Sequence, residues 1–152
     1  MKKSIIYALL LIAAFVLPIQ GVDVGKLLPV ELVQIYREEN AVVIATDAGE
    51  SGVGASVEDA IENLKSTTTG IIFLDTADFL LIDETAQEEA PELAKHLKQS
   101  VRVCYSDTDI DLKAAAEFLS IHKPKVRLGD QQHSDEAQIL TKENGRILLK
   151  DK

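Results

Sequence analysis

Between Ala41 and Leu64 an apolar run, a glycine-rich stretch and a helix start follow one another, and no other part of the chain restricts the fold as much. Ala41-Val42-Val43-Ile44-Ala45-Thr46 is short, apolar and rich in β-branched residues, the pattern of a buried strand. Gly49-Glu50-Ser51-Gly52-Val53-Gly54 reads as a turn. Ser56 then supplies a side-chain oxygen for a helix N-terminus, and Glu58 and Asp59 suit its positive end. Val57, Ala60, Ile61 and Leu64 fall on one face at helical spacing.

Gly49-Glu50-Ser51-Gly52-Val53-Gly54-Ala55-Ser56 meets the phosphate-binding pattern G-x-x-x-x-G-K-[ST] everywhere except Ala55, where lysine belongs. That lysine supplies the charge that holds the β- and γ-phosphates. Asp47 and Glu50 instead put two carboxylates beside the loop, and no basic residue lies between Asp47 and Asn63. The stretch is therefore read as a link between strand and helix, not as a nucleotide site.

The amino terminus has the form of an export signal. Lys2 and Lys3 precede an apolar run from Ile5 to Leu17, and Pro18-Ile19-Gln20-Gly21 follows. Residues 1–21 are expected to be a signal peptide cleaved after Gly21, with an uncleaved membrane anchor as the alternative. The run is short against the roughly 20 apolar residues a span needs. Without Lys2 and Lys3, 14 basic residues face 25 acidic ones, a net charge of −11. That balance argues against nucleic acid and anionic membrane surfaces as partners. Cys104 stands alone in Val101-Arg102-Val103-Cys104-Tyr105, so it reads as a small buried hydrophobe in a strand. His96, His122 and His133 lack the spacing of a metal site.

The body reads as strands alternating with helices. Val30–Tyr36 is expected as a first strand, joined to the Ala41 strand through Arg37-Glu38-Glu39-Asn40. Ile71-Ile72-Phe73-Leu74 has the composition of a central strand, and Phe79-Leu80-Leu81-Ile82 that of another. Thr85–Gln99 is expected to hold a helix that begins near Pro91, with Ala90, Leu93, Ala94 and Leu97 inside. Asp109 is expected to cap a helix running to about Ser120, stopped by Lys123-Pro124. Ile139-Leu140 and Ile147-Leu148-Leu149 flank Asn144-Gly145, a hairpin signal. The predicted fold is α/β (α+β): a mixed sheet of about four to six strands with about three packed helices. Residues 22–128 are expected to form the domain, and 129–152 a polar linker with a C-terminal hairpin or tail.

Two further motifs suggest chemistry that their context does not support. Asp75-Thr76-Ala77 is similar to the active-site turn of aspartic proteases, but that reaction needs two carboxylates sharing a proton, on a nearly all-strand fold. Asp107-Thr108-Asp109-Ile110-Asp111 begins like a calcium loop, yet Leu112 and Phe118 occupy the glycine and glutamate places. These aspartates fit a helix start better.

A family resemblance spans residues 40–120. Gly54-Ala55-Ser56-Val57-Glu58-Asp59-Ala60, the two apolar runs Ile71–Leu74 and Phe79–Ile82, and Glu92-Leu93-Ala94-Lys95 follow in an order that resembles the first domain of the Ger(x)C family, the lipoprotein subunits of spore germinant receptors. The family's lipid-bearing cysteine is missing, and so are its later domains. The resemblance implies a non-enzymatic exported domain that works by contact with other envelope proteins, and it carries over no catalytic residue.

The sequence thus points to an extracytoplasmic, protein-binding or envelope-assembly module. Its partners would be envelope or membrane proteins, and any membrane contact would run through the N-terminal segment. No catalytic, cofactor-binding or metal-ligating residue is assigned. The alternatives are a small hydrolase using Asp47, Glu50, Asp75 or Asp78, and a small-ligand domain at Gly49–Gly54.

Overall fold

The computed structural model describes residues 24–106, 109–133 and 136–152. The export segment and Asp107-Thr108 lie outside the described residues. Among the described residues nine strands are formed: β1 Leu27–Leu28, β2 Leu32–Glu38, β3 Ala41–Thr46, β4 Ser51–Gly54, β5 Ile71–Ile72, β6 Phe79–Asp83, β7 Arg102–Ser106, β8 Gln138–Glu143 and β9 Arg146–Asp151. The helices are α1 Val57–Thr67, α2 Ala90–Leu93 and α3 Leu112–Ile121.

Seven strands make one mixed sheet in the order β4-β3-β2-β6-β7-β8-β9, and β1 pairs with β5 in a small parallel sheet. β2, β6, β7 and β8 run parallel, while β3 and β9 are antiparallel to their neighbours. The fold is α+β, as expected. The sheet is wider than four to six strands for two reasons. The C-terminal hairpin is no appendage: Tyr105 and Ser106 pair with Ile139 and Leu140, and Leu140 is fully buried. Ser51–Gly54, expected as a turn, is an edge strand.

β6 is the middle strand, and its apolar run follows from burial on both faces. Leu80 and Ile82 enter the core under α1 and α2, with Ile35, Ile44, Leu64 and Leu93. Phe79 and Leu81 point the other way, into the core under α3, with Cys104, Ala115, Ala116 and Leu119. Period-two alternation along one strand thus feeds two cores. Each fully buried leucine or isoleucine contributes about 1.5–3 kcal/mol.

The helix termini follow side-chain chemistry. Ser56 Oγ accepts the Asp59 N–H at 3.2 Å, which fixes the start of α1. α3 starts two residues later than expected, because Asp111, not Asp109, accepts the Ala114 N–H at 2.8 Å. The helix expected over Thr85–Gln99 is broken into a 3₁₀ turn at Glu84–Ala86, α2, and a 3₁₀ turn at Ala94–His96. Pro91 explains the first break: its ring excludes a helical carbonyl at Gln87, so a helix can only begin beside it.

The other correction concerns Ile71–Leu74. Only Ile71 and Ile72 pair, and only with the two residues of β1. Leu74–Thr76 turns away as a 3₁₀ segment, closed by Thr76 Oγ1 donating to the Phe73 carbonyl at 2.7 Å. The central place belongs to Phe79–Asp83.

Candidate functional site

The glycine stretch has a packing role. A Cβ on Gly52 would lie 2.5 Å from the Leu64 nitrogen and closer still to the Ala60 carbonyl oxygen; one on Gly54 would lie 2.5 Å from Asp59 Cβ. Glycine at these positions lets α1 lie directly against β4. Helix backbone therefore occupies the space that a phosphate would need at Gly52 and Gly54.

Three of the four carboxylates considered for hydrolysis take separate structural roles. Asp47 Oδ1 accepts the N–H groups of Glu31 and Leu32, both at 3.1 Å, and ties the end of β3 to the start of β2. Glu50 Oε2 accepts the Thr68 hydroxyl at 3.4 Å, beyond the C-terminus of α1. Asp78 pairs with Lys98 at 2.8 Å, and the same ammonium donates to the Thr76 carbonyl. Asp75 lines a cleft. Among the described residues no group of three metal-ligating side chains gathers. Of the aspartates near the calcium-like stretch, Asp111 is used as a helix cap.

Concave surfaces remain beside Gln87, Tyr105 and Leu128, of about 420 Å³, and at two further places. One, of about 540 Å³, lies at the carboxyl ends of β2 and β6 and is bounded by Gln34, Tyr36, Glu38, Asp83, Asp109 and Leu112 among others. Burial, then the charges of Glu38 and Asp109, push the Tyr36 phenol above its ordinary range, so it stays protonated. Asp83 accepts the Thr85 N–H and hydroxyl at 2.9 and 2.6 Å, and Arg37 pairs with Glu89. Sequence reasoning missed this pocket, because Tyr36 on β2 and Asp109 after β7 are 73 positions apart and meet through the β2–β6 and β6–β7 pairings.

The other cleft, of about 460 Å³, is lined by Ile71, Ile72, Phe73 and Leu74, and also by Lys65, Asp75 and His96. Ile71 and Phe73 are each 39% exposed, high for large apolar side chains. Their composition led sequence reasoning to bury them in the sheet; the two-residue length of β5 leaves them outside.

The remaining titratable groups of interest are structural. Cys104 is buried, and desolvation pushes its thiol up to about 12, so it is not a thiolate near neutral pH. His122 stacks on Phe118 at the end of α3, with ring centroids 4.5 Å apart. Glu92, on α2, has its pKa raised, first by a hydrogen bond with Glu58 on α1 and then by desolvation and the Glu58 charge. A carboxyl held above its unfolded value stabilises the fold while protonated, and that contribution is lost as pH rises. Glu92→Gln is therefore expected to raise the melting temperature at pH 7 and to change it less at pH 4, as measured by thermal unfolding at the two pH values.

Comparison of the chain with known protein families, characterised proteins and solved structures finds no match.

Proposed function

We propose that this is an extracytoplasmic, non-enzymatic domain that binds another envelope protein, as an assembly module of the germination-related kind that the Ger(x)C resemblance implies. The observation that carries this reading is the Ile71–Phe73 cleft: two large apolar side chains, each partly exposed, around a concavity also lined by Lys65, Asp75 and His96. Exposed apolar residues rimmed by polar ones mark contact surfaces. The dispersal of Asp47, Glu50 and Asp78 onto separate partners supports contact rather than carboxylate hydrolysis, which needs two such groups converging on one substrate. Export rests on the Lys2-Lys3 start and the Ile5–Leu17 run, retained as an anchor or removed. Among the described residues no helix is long and apolar enough to cross a membrane.

A second reading, small-ligand binding, draws its support from the pocket at Tyr36 and Asp109 and no longer from Gly49–Gly54. Ligands of open α/β sheets bind beyond the carboxyl ends of parallel strands, where that pocket lies.

The proposal is tested by affinity capture from intact producing cells, comparing the native chain with an Ile71→Asp/Phe73→Asp variant. The native chain is expected to retain a specific envelope protein. The variant is expected to lose it by about thirtyfold, the effect of removing an interface anchor worth about 2 kcal/mol. Its melting temperature should be nearly unchanged, since exposed substitutions usually alter stability by no more than about 0.5 kcal/mol. Equal capture by both chains would overturn the reading.

A further inference from the structure

We propose that the free edge of β9 takes up an extended, acidic segment of a partner protein as an additional strand. Among the described residues the sheet has two edges, β4 and β9. β4 is four residues long, and its Val53 N–H donates to Asn63 Oδ1 of α1 at 3.1 Å. β9 offers six consecutive residues free of glycine and proline.

The hairpin geometry identifies the unpaired groups. Asn144 and Gly145 have φ of +50° and +78°, and Glu143 opposes Arg146 across them. In such a two-residue turn the flanking pair exchanges both hydrogen bonds, and bonded pairs then recur at every second residue. Residues 146, 148 and 150 therefore bond to β8, and the Lys152 N–H keeps the same phase by donating to the Ala137 carbonyl at 2.7 Å. The N–H and C=O groups of Ile147, Leu149 and Asp151 point away from β8, along the outer edge.

Charge selects the occupant. Residues 123–152 hold seven Lys or Arg and five Asp or Glu, whereas 22–122 hold seven and twenty. The hairpin end is thus the basic end of an acidic protein. Arg146, Leu148 and Lys150 share one face of β9, and Leu148 is 37% exposed. Asp151, the one acid on the strand, pairs with Lys125 at 3.1 Å, and Lys150 pairs with Glu143 of β8, an exposed pair that an incoming acid would have to exchange. An incoming strand with acids opposite Arg146 and Lys150 and an apolar residue beside Leu148 matches this surface.

A second copy matches it poorly. Residues opposed in an antiparallel pair must both face the seam or both face away, so odd positions meet odd and even meet even. Centring two copies on Leu149 sets Arg146 against Lys152, and centring them on Leu148 sets Arg146 against Lys150. Like charges oppose in both registers. The register that would join Arg146 to Asp151 mixes odd with even and cannot form.

The test uses the full chain and two dye-labelled ten-residue peptides, one alternating glutamate with valine and the other lysine with valine. Fluorescence polarisation is expected to show that the glutamate peptide binds at least tenfold tighter than the lysine peptide, and that added salt weakens it. Arg146→Glu/Lys150→Glu should reverse the preference. A semisynthetic chain N-methylated at the Leu149 amide loses only an outward donor, so it should keep its melting temperature and lose binding at least tenfold. No binding of the glutamate peptide, equal binding of both peptides, indifference to N-methylation, or pairing of two copies through β9 would each overturn the proposal. The Ile71→Asp/Phe73→Asp chain should bind the glutamate peptide normally, so failure of the cleft reading and failure of this one are separately visible.

Discussion

Gly52→Ala is expected to destabilise the protein by about 3 kcal/mol or more, at or above the upper end of overpacking costs. The added methyl would press on backbone, on the Leu64 nitrogen at 2.5 Å and on the Ala60 carbonyl, and neither can rotate aside as a side chain does. α1 would have to lift from β4, opening the core around Ala60, Ile61 and Leu64, which are 0–4% exposed. Gly49→Ala supplies the contrast. Gly49 has φ of +83° with nothing within 4 Å of an added Cβ, so only backbone strain of about 1–2 kcal/mol applies. Urea titration of the two variants checks both values. A smaller loss at Gly52 than at Gly49 would show that strand and helix are not in contact as described.

Leu80→Ala is expected to cost about 2–5 kcal/mol, the range for removing a buried leucine side chain. Leu80 is fully buried on the middle strand, opposite Val33 of β2 and Val103 of β7, so both neighbours would line the cavity. Val53→Ala, on the edge strand at 50% exposure, is expected to stay within about 0.5 kcal/mol. Thermal unfolding of both variants under one buffer condition measures the difference. Equal effects would contradict the placement of β6 at the centre.

The elements that sequence reasoning located share a property: their signals are local. The Ala41–Thr46 run, the Ser56 cap with its apolar face at Val57, Ala60, Ile61 and Leu64, and the Asn144-Gly145 turn each act within a few residues, and all appear where expected. The misses depend on distant partners. Ser51–Gly54 looks like a loop because its glycines make no local structure; they are explained only by a helix that lies against them. Ile71–Leu74 looks buried because apolar composition does not reveal that β1 offers just two residues to pair with. Asp109 looks like a cap because its spacing to the helix is nearly that of Asp111; the structure puts it beside Tyr36 instead. The proposed interaction surfaces were illegible for the same reason, since an exposed Phe73 and a terminal β9 depend on which other elements pack beside them.

Site-specific photo-cross-linking in intact cells addresses the proposed function most directly. A benzophenone side chain is placed at Phe73, in the cleft, and separately at Val53, which is more exposed but lies on the edge strand. Contact through the cleft predicts one dominant adduct with an envelope protein from position 73 and none of that mass from position 53. The same adducts from both positions, or no adduct from position 73, would contradict it.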